Sequence, residues 1–142
     1  MNINQSIVGC SRYKNQFQFY STGDLINFEG VTYNDKGHYL PELNRFLCNT
    51  TGVYYITVNY YHGYSVLGSL YLGVTLNTLT VLHSSRLYEG AEDNTLSNSR
   101  LLRCQQNDTL MVRATGQGFV YGYKPLPLTT FSAMLIHNKG KN

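Results

Sequence analysis

Tryptophan is absent from the 142 residues, proline and cysteine occur three times each, and only 13% of positions are charged. Each shortage removes a class of protein. With a net charge of only +3 there is no basic stripe of the kind that tracks a phosphate backbone, so nucleic acid is not the expected partner. Cys10, Cys48 and Cys104 are too few for a disulfide scaffold and lack C-x-x-C spacing for a metal or redox motif. They leave two alternatives open: one bridge, Cys48 to Cys104 or Cys10 to Cys104, or three buried free thiols, since each lies beside apolar residues. No window holds 18 consecutive apolar residues, which argues against a membrane-inserted helix. The start, MNINQSIVG, has neither the basic nor the apolar region of a signal peptide, and a mature secreted chain beginning at an added Met1 reads the same way.

What the chain has in quantity is aromatic and apolar side chains: 13 tyrosines, six phenylalanines and 42% hydrophobic residues overall, without low-complexity segments. That composition excludes a disordered chain, and the length suits one domain over residues 1–142 ending in a polar tail at 138–142. Apolar residues recur at every second position, the period of strands rather than helices. Between Gly52 and Tyr61 one face carries Tyr54, Ile56, Val58 and Tyr60, and the other Val53, Tyr55, Thr57, Asn59 and Tyr61. Neither face is strongly polar, so the strand is expected to contact a core on one side and a facing sheet or another subunit on the other. Similar short strands are expected at 3–8, 16–20, 31–33, 45–47, 70–76, 78–83, 99–104, 109–114, 119–123 and 129–137, separated by turn clusters such as EGAEDN, QQND and KPLP. Such a series predicts an all-β sandwich of two antiparallel sheets.

Catalytic motifs find little support. His38, His62, His83 and His137 are too dispersed for one metal site and are expected at the surface or at strand ends. No G-x-S-x-G elbow surrounds Ser84, Ser85 or Ser97, and TGQGFVYGY lacks the third glycine and the helix of a dinucleotide site. Glu89, Glu92 and Asp93 beside Asn94 form the one acidic cluster, whose oxygens suit Ca²⁺. The sequons at Asn4, Asn49 and Asn107 are candidate glycan acceptors if the chain is exported.

A longer pattern carries more information. Phe28, Asn34, Tyr39, Phe46, Gly52, Tyr54, Ile56 and Val58, the phrases YNDKGHY, RFLC and GVYYITV, the turn and strand NDTLMVRA and the closing TTFSAMLIH together resemble the complement component 1q globular domain over residues 26–137. The sequence departs from that family's pattern at Ile56 and Val58, where aromatics are usual, and at Asn107 and Ala133, where glycine is usual. Asn107 still tolerates a left-handed backbone.

The resemblance implies a ten-stranded jelly roll of the C1q/tumour necrosis factor type that assembles as a homotrimer. Phe28, Tyr33, Tyr39, Phe46, Tyr54, Tyr55, Tyr60, Tyr61 and Phe131 are expected to be the aromatics of its core and trimer faces. It also implies a secreted, non-enzymatic recognition module, either stalkless or the head of a longer chain. Such a module uses no catalytic cofactor and binds glycans or microbial and cell-surface ligands in innate immunity. The alternatives are a cytokine- or adipokine-like receptor ligand and a structural assembly unit. Ligand contact is expected from Arg86, Tyr88, Glu92, Asp93 and Asn94 with Tyr121 and Tyr123. Tyrosine faces stack on sugar C–H surfaces, and arginine holds a carboxylate such as that of sialic acid. Relatives hold calcium with aspartates where Arg86 and Asn94 stand here, a substitution that argues against a metal.

Overall fold

A computed structural model of the chain describes residues 8–34, 38–61, 70–84, 95–125 and 127–138. The described residues form twelve strands: β1 Gly9–Tyr13, β2 Gln18–Tyr20, β3 Gly30–Asn34, β4 Tyr39–Leu40, β5 Arg45–Leu47, β6 Gly52–Tyr61, β7 Tyr71–Leu76, β8 Leu79–His83, β9 Thr95–Cys104, β10 Thr109–Thr115, β11 Gly118–Val120 and β12 Thr130–Asn138. One antiparallel sheet runs β3-β1-β12-β6-β9 and faces a second, β4-β5-β10-β7-β8; β11 and β2 pair as a separate ribbon. The all-β sandwich expected from the alternation is what forms.

The alternation works as a code for the core. Along β6, Tyr54, Ile56, Val58 and Tyr60 point between the sheets, joined by Phe131 and Ala133 of β12. They meet Phe46 of β5, Leu110, Val112 and Ala114 of β10, and Leu72 and Val74 of β7, with Ile26 and Phe28 closing one side. At about 25 cal/mol per Å² of apolar surface, this burial is the main force holding the layers together. Among the aromatics singled out in the sequence, Phe28, Tyr39, Phe46, Tyr54, Tyr60 and Phe131 are buried, Tyr33 and Tyr61 are half-buried, and Tyr55 is exposed on the outward face of β6.

Two details depart from the periodicity reading. Strand β1, Gly9–Tyr13, is not among the expected strands, since its buried residues include the cation Arg12 beside Cys10; the strand expected at 3–8 lies, but for Val8, outside the described residues. Arg12 is accommodated by donating from Nε and Nη2 to the Phe28 carbonyl (3.2 and 2.9 Å), with its guanidinium 4.5 Å above the Tyr39 ring. Strand β9 begins at Thr95, earlier than the expected residue 99, since it pairs with β6 along its whole length. His38 stands at a strand end, directly before β4, and is buried there: its carbonyl accepts from Leu47 N (2.8 Å) and its ring lies 6.1 Å from Phe46. His83 and His137 are exposed as expected, and His62 lies outside the described residues.

Asparagines serve where glycine is common: Asn44, Asn77 and Asn107 hold φ values of 51°, 55° and 77° at turns. All three cysteines are free and buried.

The buried hydroxyls and thiols make the fold sensitive to alkali. Burial pushes Cys10 up from 9.0 to about 12, and Tyr39 and Tyr54 up from 10.0 to about 12; Tyr20 and Tyr60 are raised as well. Raised folded-state values mean that the folded chain holds protons the unfolded chain releases, so this stability is present below the unfolded values and lost as pH climbs through the folded ones. The melting temperature is expected to hold steady to about pH 9 and to fall steeply between pH 9 and 12. A melting temperature unchanged from pH 9 to pH 12 would contradict this.

Candidate functional site

The β2–β11 ribbon gives the molecule its most unusual surface. Phe119 lies opposite Phe19 in the register, and their neighbours Tyr20 and Val120 point inward. Period-two alternation therefore sends Phe19 and Phe119 out to solvent together, with Phe17 on the same side as Phe19. Phe17 stacks on Phe119 at 4.6 Å between centroids and an interplanar angle of 7°. Phe19 meets Phe119 edge-on at 5.2 Å, Tyr121 meets Phe17 edge-on at 5.1 Å, and Tyr61 meets Tyr121 at 5.6 Å. The result is a ledge of five rings, of which Phe17, Phe19, Phe119 and Tyr121 are 42–52% exposed. Beside it a recess of about 140 Å³ is lined by Tyr61, Tyr121, Tyr123 and Leu128.

The ledge rests on a polar support. The Lys14 side chain is fully buried, donates from Nζ to Gln18 Oε1 (2.7 Å) and forms an ion pair with Glu29. Glu29 also accepts from Asn15 N (2.9 Å) and Asn27 Nδ2 (3.0 Å). The Tyr20 hydroxyl reaches Gln18 (3.0 Å) and Asn27 (2.6 Å). Burial draws the Lys14 pKa down while its bond to Glu29 raises it. From the other side, Tyr60 Oη donates to the Phe119 carbonyl (2.9 Å) and Tyr123 N donates to the Lys14 carbonyl (3.3 Å). Gly122 lies so close to the Gln16 backbone that an added Cβ would clash, and β11 ends at Val120, not at the expected Tyr123. The rings are thus held at fixed spacing on a braced backbone.

Of the residues expected to touch a ligand, Tyr121 and Tyr123 fall at the ledge and its recess, 42% and 57% exposed. Arg86, Tyr88, Glu92, Asp93 and Asn94 lie outside the described residues. Among the described residues no three His, Cys, Asp or Glu side chains are grouped to hold a metal ion. Sequence reasoning missed Phe17, Phe19 and Phe119. The spacing F-Q-F was legible, but alternation alone does not say which face of a ribbon meets the core.

A second surface lies on the outward face of β6 and β9, where Tyr55, Thr57, Asn59, Ser97, Asn98 and Ser99 line a shallow recess of about 480 Å³. Tyr55 stands opposite Leu101, which is 57% exposed. This face is half apolar and half hydroxyl and amide. Asn59 Nδ2 donates to Thr130 Oγ1 (2.6 Å), and the Ser11 and Ser132 hydroxyls pair at 2.8 Å.

Comparison with known proteins places this architecture. The model of the C1q domain family matches residues 11–136. The human complement C1q and tumor necrosis factor-related protein 9B is 29% identical over 99 residues, which is 70% of this chain and 28% of that protein, so the chain spans well under a third of this curated relative. The globular domain of zebrafish complement 1qA superposes with a TM-score of 0.69 at 14% identity, covering 93% of this chain and 99% of that one. The tumour necrosis factor Eiger of S. frugiperda superposes with a TM-score of 0.68 at 16% identity, covering 96% and 97%. At such identities the structural matches speak for the jelly-roll fold alone. With the family model matched over most of its length and the two-sheet sandwich in place, the chain belongs to the C1q domain family.

Proposed function

We propose that this chain is a secreted, non-enzymatic recognition module that binds carbohydrate on microbial or cell surfaces through the aromatic ledge of Phe17, Phe19, Phe119, Tyr121 and Tyr61. The observation that carries the proposal is the exposure of four rings at fixed mutual spacing on a braced ribbon. A clustered apolar surface of this kind marks a binding site, whereas single exposed hydrophobics do not. Ring faces accept the C–H surfaces of pyranoses, and tyrosine hydroxyls such as those of Tyr121 and Tyr123 can bond to sugar oxygens. Domains of this family are generally non-enzymatic ligand-binding modules.

Homotrimer formation is part of the proposal. Trimer assembly is typical of the family, and the outward face of β6 and β9 around Tyr55 and Leu101 supplies an apolar strip for it. Three ledges on one particle would convert a weak single-site affinity into avidity.

The test is a screen of glycans and microbial surfaces with the wild-type chain and with Phe119→Ser. Binding is expected for the wild type, with affinity reduced about tenfold, roughly 1.4 kcal/mol, in the variant. Arg86→Ala and Tyr88→Ala in the same screen measure the contribution of the 85–94 segment. The human relative's name supports a second reading, a tumour necrosis factor-like receptor ligand. Capture of one receptor ectodomain with no bound sugar would favour it, and binding of neither would favour a structural assembly unit.

A further inference from the structure

Cys48 and Cys104 come from opposite layers of the sandwich. Cys48 directly follows β5 in one sheet, and Cys104 ends β9, the edge strand of the other. Backbone hydrogen bonds clamp their two segments together: Cys48 N donates to the Asp108 carbonyl and Asn107 N to the Cys48 carbonyl, both at 2.8 Å. The turn after Cys104 is itself locked, with Asp108 N on the Gln105 carbonyl (3.0 Å), Gln105 N on Asp108 Oδ2 (2.9 Å) and Gln106 N on Thr51 Oγ1 (2.9 Å). Within this frame the two thiols are free, fully buried and near enough to perturb each other's protonation.

We propose that Cys48 and Cys104 are an oxidation site whose disulfide staples the two sheets together, with a low-molecular-weight disulfide such as glutathione disulfide as the oxidant. Cys104 ends β9 directly before the 105–108 turn, so it is the sulfur that opening of this turn exposes first and the first to lose its proton to solvent. Its thiolate attacks one sulfur of glutathione disulfide, breaking that S–S bond and expelling one glutathione thiolate. Cys48 then gives up its proton and attacks the Cys104 sulfur of the mixed disulfide, releasing the second glutathione. Two protein thiols are oxidised and one glutathione disulfide is reduced to two thiols. Because both sulfurs are fully buried, the reaction proceeds from molecules opened locally at the 105–108 turn. Cys10 is the internal control. It lies in β1 opposite Ala133, and burial raises it to about 12, so at neutral pH it stays a protonated thiol.

The experiment treats the reduced chain with glutathione disulfide and then alkylates it in denaturant. Alkylatable thiols are expected to fall from three to one, the intact mass to drop by about 2 Da, and peptide mapping to join the Cys48 and Cys104 peptides and leave Cys10 alkylated. The bridged chain should melt about 10 °C higher, since the bridge closes a long loop in the unfolded chain. Cys10→Ser should form the same bridge, and Cys104→Ser should form none. Three persistent thiols, a stable glutathione adduct, a bridge through Cys10 or between chains, or a bridged chain that melts no higher would each overturn the proposal.

Discussion

Replacing Glu29 with alanine is expected to destabilise the fold by about 3–5 kcal/mol, because it strands a cation in a site closed to water. Lys14 is fully buried, and without Glu29 its ammonium keeps the Gln18 amide oxygen and the face of the Tyr20 ring at 5.5 Å but no anion. The same change leaves Asn15 N and Asn27 Nδ2 without their carboxylate acceptor. Urea denaturation should show a lower midpoint with little change in slope. Glu29→Gln, which keeps an acceptor but loses the charge, should fall between the two. The pair Lys14→Met with Glu29→Leu should recover most of the loss, since two apolar groups of similar size need no charge partner. A cost below about 1 kcal/mol for Glu29→Ala would mean that Lys14 escapes to solvent or loses its proton without strain. Since this network lies under the β2–β11 ribbon, the variant should also loosen the ring ledge and weaken ligand binding before the whole chain unfolds.

Phe131→Ala is expected to cost a similar amount, about 3–5 kcal/mol, for a different reason. Phe131 is fully buried on β12, opposite Arg12 of β1 and Val58 of β6, with its ring 6.1 Å from that of Phe28. Truncation leaves a cavity in the middle of a five-stranded sheet, where strands paired on both sides have little freedom to collapse into it. Phe119→Ser provides the contrast. That ring is 48% exposed, so its removal should change stability by no more than about 0.5 kcal/mol while reducing ligand binding. Thermal melts of the two variants side by side separate the aromatics that build the fold from those that display a surface. Equal losses of stability would show that the ledge is part of the core.

The comparison of these two phenylalanines also shows what the sequence can and cannot express. The strand Gly52–Tyr61 was legible because its buried face is uniformly apolar, and period-two burial is what the pattern records. Strand β1 was not legible because the buried residues in and just after it include Arg12 and Lys14, whose burial depends on the distant Phe28 carbonyl and Glu29. A local pattern has no means of reporting such partners. His38 stands at a strand end as expected, but its burial there was not legible, since it is covered by residues that only the β4–β5 pairing brings near. Tyr121 and Tyr123 were expected as contact residues from the family resemblance, but Phe17, Phe19 and Phe119 were not. Whether an aromatic strand faces in or out is decided by Tyr20 and Val120 docking on the core, a tertiary event. Asn107 was legible through the family resemblance: it stands where glycine is usual, a place that asks for a left-handed backbone, and φ is 77°.

The central claim is that the ring ledge contacts the ligand, and the most direct test is a titration of the chain with a glycan identified in the screen, followed by carbon–proton NMR of the aromatic rings. The account predicts saturable shifts of the Phe17, Phe119 and Tyr121 ring signals at the same midpoint, while Phe28 and Phe131 in the core stay in place. Saturable binding that leaves the ledge rings unmoved and shifts residues elsewhere would contradict it.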